Sequence, residues 1–252
     1  AALGTTLSQT ISVAVALIAI VKRRLISVSR SDFRTCREHI RRILNIGVPV
    51  ALQDGFIQIA FIVITIIANQ RGLNDAAAVG IVEKIIGFIF LVPSSMLSTV
   101  SAVCAQNIGA GKLDRAAKTL RYAIFIAAGF GLVVSVLIQF IAEPVVGLFS
   151  SDTAVITMGG QYFRGYVADC MFAGIHFCFS GYFCAYGKSG ISFLHNFLSV
   201  LLARGPGAYL ASKMFADTLL PMGLAAVAGS ILSVIICTIA FVWIRKREPG
   251  VA

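Results

Sequence analysis

Five charged residues, Asp54, Glu83, Lys84, Asp169 and Arg204, stand inside otherwise apolar stretches of the chain. A charge at the centre of a bilayer costs roughly 2.5–3.5 kcal/mol on insertion scales, so such residues usually face a bundle interior or a cavity. A carboxylate held there can take up a proton or Na⁺ and can attract a cationic substrate. Asp54, Gln58, Thr65 and Asn69 are spaced 4, 7 and 4 residues apart, which places them on one helix face continued by Gly47 and Ala51. A second stripe runs Tyr162, Tyr166, Asp169, Ala173, His176, Ser180, with spacings of 4, 3, 4, 3 and 4. On a third segment His195, Asn196 and Ser199 cluster, with Arg204 two turns beyond Asn196. Two kinds of chemistry fit these stripes. They could line a cavity in which Asp54 or Asp169 binds an ion, or they could be polar glue between helices, worth about 0.6 kcal/mol on average. The acidic residues are read as functional, and His176 and His195 as glue. Glu83 and Lys84 are neighbours, so they point about 100° apart and cannot pair well with each other. Lys84 must pair elsewhere or snorkel, and Arg204 suits a bridge to a carboxylate.

The elements that would position these residues follow from composition. The chain has 252 residues, 58% hydrophobic and 13% charged, where a soluble domain usually carries about 25% charge. Its mean hydropathy is +0.90. A core of this size cannot hide that much apolar surface from water, so the solvent is lipid. A spanning helix needs roughly 20 mainly apolar residues. Seven segments qualify, near 2–21, 46–68, 76–98, 122–142, 160–184, 191–212 and 221–244. The fold class is therefore an all-α polytopic membrane protein of about seven transmembrane helices.

The formal net charge of +10 orients these segments. Sixteen of the 21 basic residues fall on one side: eight from Lys22 to Arg42, then Lys112, Arg115, Lys118, Arg121, Lys188, Arg245, Lys246 and Arg247. The opposite loops hold Arg71, Arg164 and Lys213. The positive-inside rule makes the rich side cytoplasmic, C-terminus included. Nucleic-acid binders instead gather their basic residues on a folded polar face, so no nucleic-acid partner is expected. The six cysteines form no C-x-x-C pair and fall mostly in apolar runs, where they read as small packing residues. An enzyme needs clustered nucleophile, base or metal ligands, and no H-E-x-x-H or aspartate pair near a serine is present. No enzymatic activity, cofactor or resident metal is expected.

Between two of the apolar runs lies CAQNIGAGKLDRA, Cys104 to Ala116. Its G-x-G-K invites a phosphate-loop reading, which fails: Gln106 stands where the first glycine belongs, Leu113 replaces the hydroxyl residue, and no strand precedes it. The stretch reads instead as a helix end and a tight turn, with Gly109 and Gly111 reversing the backbone and Asp114 capping the next helix. The segment RSDFRTCREHIRRIL, Arg30 to Leu44, carries Phe33, Cys36, Ile40 and Leu44 at helical spacing. It is either a short amphipathic helix on the cytoplasmic leaflet or a solvated charged loop.

The run VPSSMLSTVSAVCAQNIGAGKLDRAAKTLRYA, Val92 to Ala123, resembles the signature of multidrug and toxic compound extrusion (MATE) transporters. So do AALGTTLSQ (Ala1 to Gln9), GVPVALQ (Gly47 to Gln53), AAVGIVEKI (Ala77 to Ile85), SGYFCAYGKS (Ser180 to Ser189) and ARGPGAYLAS (Ala203 to Ser212). They are similar, in that order, to parts of the family's sixth, seventh, eighth, tenth and eleventh helices. Two departures stand out, Ala105 where glycine is usual before Gln-Asn and Phe183 to Gly187 where Leu-Arg-Gly is typical. The turn residues the resemblance assigns are Gln106, Asn107, Gly109, Gly111 and Arg115. It also implies two six-helix lobes facing each other across a central cavity. On that reading residues 1–21 are the last helix of a missing N-terminal lobe and 22–44 a cytoplasmic linker. Residues 45–247 are then the C-terminal six-helix lobe and 248–252 a tail.

The function implied is secondary active multidrug efflux at the cytoplasmic membrane, a route to antimicrobial resistance. Organic cations would leave by antiport with H⁺ or Na⁺ through alternating access. The expected partners are the lipid bilayer, a small cationic substrate and the missing lobe. The expected cavity residues are Asp54, Gln58, Glu83, Tyr166, Asp169, His176, Asn196 and Arg204. Some sodium-coupled members carry an acidic pair on the seventh and tenth helices, at positions that by spacing from Pro49 and Gly181 correspond here to Ile57 and Ala173, so that site does not carry over. Proton-coupled members use an aspartate on their first helix. The alternatives are a flippase of the same superfamily for lipid-linked glycans, whose anionic substrate would want a basic cavity, and an inactive assembly subunit.

Overall fold

The computed structural model describes residues 2–23 and 36–247. Arg24, Arg30, Phe33, Arg34 and the tail from 248 onward lie outside the described residues. The chain divides into two compact units, Ala1–Ile43 and Leu44–Ala252.

The first unit contains α1 (Ala2–Arg23), whose apolar side chains, among them Leu7, Ile11 and Leu17, are exposed as lipid-facing residues are. Thr10 and Ser12 donate their hydroxyls back to the carbonyls of Thr6 and Ser8, so they need no partner helix. Helix α2 (Arg37–Arg71) follows, then α3 (Leu73–Ile89), α4 (Leu91–Gly109), α5 (Leu113–Gly147), α6 (Thr153–Val167) and α7 (Asp169–Ala185). Helix α8 (Ser189–Ser199) runs through a π-helical turn (Val200–Arg204) into α9 (Gly205–Met214), and α10 (Leu220–Arg247) ends the described chain. Every one of the seven predicted segments falls on helix. Among the described residues five stretches are long and apolar enough to cross a membrane by length and composition: 37–71, 73–109, 113–147, 153–185 and 220–246. The all-α polytopic fold is that of the sequence expectation. Helices α2 and α5 extend beyond their predicted spans through charged turns that counting apolar residues leaves out. Residues 37–44, half of the proposed surface helix, are the first turns of α2.

The second unit packs around two apolar clusters. One joins α2, α3, α5, α6, α9 and α10 around Ile67, Val82, Ile138, Tyr162 and Met222. The other joins α4, α5, α7 and α10 around Val100, Leu120, Phe183, Cys237 and Ile244. Between them α7, α8 and α10 place Asp169, His176, Ser180, His195, Ser230 and Ser233, all buried. A polar layer thus sits at mid-depth between two dry ends. Helices meet closely where side chains are small, as lipid-embedded bundles favour. A Cβ on Gly165 would strike the Leu220 carbonyl, and one on Gly223 would strike the backbone of Tyr162 and Tyr166, so α6 and α10 cross on glycine. At one end, Arg71 pairs with Asp75 at 2.6 Å and donates to the carbonyls of Ser212, Phe215 and Ala216, gathering the α9–α10 loop.

The GAGK turn has a simple geometry. Gly111, at φ 73°, sits in the left-handed region. The Lys112 N–H donates to Asn107 O at 2.8 Å and the Gly111 N–H to Ile108 O at 2.9 Å, which is a Schellman cap. Gly187, at φ 70°, builds the same cap, with Lys188 N–H to Phe183 O and Gly187 N–H to Cys184 O. The departure from the family pattern at Phe183–Gly187 therefore keeps the turn. Two expectations need correction. Gly109 belongs to α4 and has no positive φ, so Gly111 alone requires glycine. Asp114 does not cap α5: Lys112 is the N-cap, without a side-chain bond, and Asp114 lies in the first turn, where its charge suits the helix dipole.

Replacing Gly111 or Gly187 with alanine is expected to destabilise the protein by about 1–2 kcal/mol through left-handed strain. Gly109→Ala is expected to be neutral or slightly stabilising. Thermal unfolding in detergent measures the difference, and equal effects at 109 and 111 would refute the cap geometry.

Candidate functional site

The second stripe is a continuous buried column. Tyr162, Tyr166 and Asp169 are 0% exposed, and Ala173, His176 and Ser180 are buried below them. Helix continuity breaks once along it, at Ala168 between α6 and α7. The break frees carbonyls that α5 takes up: Ser135 Oγ donates to Val167 O at 3.1 Å and Gln139 Nε2 to Arg164 O at 3.1 Å. Asp169 is the first residue past the break.

A second irregularity faces it. In the π turn the Gly205 N–H reaches back five residues to Val200 O, just ahead of Pro206, which has no N–H to give. Arg204 closes that turn, and its Nη2 lies 2.7 Å from Asp169 Oδ2. Arg204 is 8% exposed, so the pair is an ion pair inside the bundle that joins two helix irregularities. The bridge from Arg204 to a carboxylate foreseen from sequence is this one.

Polar contacts continue along the layer. Ser230 Oγ is 3.4 Å from His176 Nε2, and the His176 and His195 rings lie 5.4 Å apart. Ser180 Oγ is 2.9 Å from His195 Nε2, and Ser233 donates to the His195 carbonyl at 3.3 Å. Ser199 donates to Gly229 O at 2.6 Å, and Ser192 to Gln53 Oε1 at 2.6 Å. Some polar atoms lack a protein partner: Asp169 Oδ1, Arg204 Nε, Asn196 Nδ2, His176 Nδ1 and the hydroxyls of Tyr162 and Tyr166. Beside them is a cavity of about 40 Å³ lined by Ile57, Ala173, His176, Asn196, Ser199 and Arg204, among others. At 10–15 Å³ each it has room for about three waters, which could serve the His176, Asn196 and Arg204 atoms on its lining.

Two features of this cavity are chemical statements. Ile57 and Ala173, the positions equated with the acidic pair of sodium-coupled MATE proteins, do come together in one cavity. They present methyl groups, and the charged group on the wall is the Arg204 cation. The lining thus holds no carboxylate.

The remaining candidates lie elsewhere. Glu83 is half-buried, with Oε2 3.4 Å from Thr65 Oγ1 and Oε1 without a partner. Lys84 is exposed and makes no ion pair among the described residues. Asp54, at the midpoint of the 35-residue α2, is exposed, as is Gln58. No described residue pairs with Asp54. The eight expected cavity residues thus fall in different environments within this unit. The structure buries Tyr166, Asp169, His176, Asn196 and Arg204 within the bundle and leaves Asp54 and Gln58 on its surface. Gln53, which sequence reasoning passed over, turns inward at 2% exposure and holds Ser192. In the turn, Gln106 is exposed, and Asn107 Nδ2 donates to Val103 O at 2.8 Å within its own helix. Gly109, Gly111 and Arg115 shape or flank the turn and surround no cleft shared with Asp169. Five cysteines are buried and unpaired, while Cys36 is exposed.

An all-helical bundle with helices long enough to cross a membrane and ionisable groups buried between them is the architecture in which membrane carriers are built. Residues 49–210 match the MatE family model, and the chain belongs to that family of transporters. It is 25% identical over 197 residues to the FAD transporter of Shewanella oneidensis, covering 77% of this chain and 43% of that one. It is also 25% identical over 224 residues to the probable multidrug resistance protein YpnP of Bacillus subtilis, covering 89% and 50%. The fold matches a crystal structure of the Vibrio cholerae MATE transporter VcmN at TM-score 0.89 and 17% identity, covering all of this chain and 57% of that one. The chain spans about half the length of the curated relatives it matches.

Removing one partner of the buried pair leaves an uncompensated charge, which typically costs 3–5 kcal/mol. Arg204→Met is expected to lose that much heat resistance. Asp169→Asn with Arg204→Met together are expected to recover at least half of the loss. A single variant as stable as the parent chain would exclude the pair as a structural element.

Proposed function

We propose that this chain is the C-terminal lobe of a MATE-type exporter that expels organic cations in exchange for protons. Residues 1–21 would close the preceding lobe, 22–44 would link the lobes, and 45–247 would form this one. The observation that carries the reading is Asp54: a carboxylate at the midpoint of a membrane helix, exposed and unpaired among the described residues. Lipid does not tolerate such a group, so its face of α2 borders a water-filled cavity. Asp169 is already neutralised by Arg204, and a close pair projects little net field. Asp54 is therefore the group that attracts a cationic substrate and exchanges it for the coupling ion. The absence of a carboxylate at Ile57 and Ala173, with Arg204 beside them, favours H⁺ over Na⁺. The basic ends support a cytoplasmic C-terminus.

A second reading rests on two observations. One relative is an FAD transporter, and Lys84 on α3 is exposed and makes no ion pair among the described residues. An anionic substrate, whether a nucleotide or a lipid-linked glycan, would use Lys84 rather than Asp54.

In a two-lobe transporter containing this chain, Asp54→Asn is expected to lower ethidium efflux at least tenfold in kcat/KM with unchanged heat stability. An imposed pH gradient is expected to drive that efflux without Na⁺. Efflux that survives the Asp54→Asn substitution, or that requires Na⁺, would reject the cation–proton reading. Loss of FAD export in Lys84→Gln with normal ethidium efflux would establish the second one.

Orientation has its own probe. Backbone N–H groups of His39 and Glu38 at the start of α2 hold the Cys36 thiol below its usual pKa, which favours the reactive thiolate. An impermeant maleimide is expected to label Cys36 only after cells are permeabilised. Labelling of intact cells would reverse the orientation.

A further inference from the structure

A groove of about 490 Å³ opens between the start of α5 and the end of α10, away from the polar layer. Lys118 and Arg121 on α5 and Arg245 on α10 form its rim, all three exposed. Among the described residues none of the three makes an ion pair. Below the rim the walls are Phe125 and Phe241, and the floor is Phe179 of α7. Asp114 is the one carboxylate on the lining.

We propose that this groove holds one anionic phospholipid, with its phosphate against Lys118, Arg121 and Arg245 and one acyl chain in the phenylalanine slot. Basic pockets between membrane helices recognise anionic headgroups, and three cations against one carboxylate leave an excess positive charge for the phosphate. The slot continues onto surfaces that face lipid: Ile126, Leu132 and Val133 along α5 and Ile239 and Val242 along α10 are exposed. A ligand can therefore enter from the bilayer. Tyr122 and Trp243, 65% and 51% exposed, lie one and two residues from Arg121 and Arg245 and are of the residue types enriched at membrane interfaces. Headgroup charge and acyl slot thus adjoin in one groove, as a phospholipid requires. A soluble anion would leave the phenylalanine slot unused, and a zwitterionic headgroup would bring a cation against three others. The inference does not depend on which substrate the carrier exports.

The full chain in a non-ionic detergent, titrated with phosphatidylglycerol, phosphatidylcholine or inorganic phosphate and read by native mass spectrometry, tests it. One phosphatidylglycerol is expected to be retained, with phosphatidylcholine at least tenfold weaker and inorganic phosphate unable to displace it. Lys118→Gln, Arg121→Gln and Arg245→Gln are each expected to weaken phosphatidylglycerol about fivefold. Asp114→Asn is expected to tighten it, and Lys246→Gln, on the same helix end but outside the groove, to leave it unchanged. Equal retention of the two lipids would overturn the proposal, as would displacement by phosphate. So would a Lys246→Gln effect as large as that of Arg245→Gln, which would reduce the groove to general surface charge.

Discussion

The bond between Asp169 and Arg204 organises the second unit. Each partner sits at a place where helix regularity fails, Asp169 just past the α6–α7 break and Arg204 at the end of the π turn. Both irregularities expose backbone groups that lipid cannot satisfy, so they must be buried in protein or beside a polar pocket. Ser135 and Gln139 of α5 repair one of them, and the hydrogen bond that the Gly205 N–H donates to Val200 O repairs the other. The ion pair then ties the repaired sites together. Its own desolvation is costly, and the attraction offsets that cost only because the 2.7 Å geometry is close.

From this pair follows the layered interior. Two apolar clusters flank a layer of serine, histidine, aspartate and arginine, and the small residues around it let the helices approach closely. Such a layer is self-contained: its charges cancel, and most of its hydrogen bonds close within the bundle. The exposed Asp54 is its opposite, a single charge in the middle of α2 without an ion-pair partner among the described residues. In the proposed exporter the buried layer holds the lobe together while the surface carboxylate meets cargo and coupling ion. Stability and transport would then rest on different residues of the same helical lobe.

The GAGK turn shows how a short motif can mislead and how geometry resolves it. Glycine and lysine near a helix start resemble a phosphate loop. Here Gly111 supplies the left-handed residue of a Schellman cap, and Lys112 follows it into the next helix. AYGK at Ala185–Lys188 repeats the device with a different local sequence. What recurs is a backbone requirement, glycine at one φ, with a basic residue behind it at the headgroups.

Hydropathy alone established the lipid solvent, the seven helical segments and the all-α class, because only a spanning helix sustains some twenty apolar residues at a stretch. The motifs from Val92 to Ala123 led to the family, and helical spacing put Tyr162, Tyr166, Asp169 and His176 on one stripe. Which way each stripe turns was not legible. In lipid the outside of a bundle is as apolar as its inside, so the hydrophobic pattern that orients a soluble helix is absent. Packing against α8 turned Gln53 inward and left Asp54 outside, and the helix breaks at Ala168 and Val200–Arg204 brought Asp169 to Arg204. Those choices belong to neighbouring helices far away in sequence, and only the tertiary structure could make them.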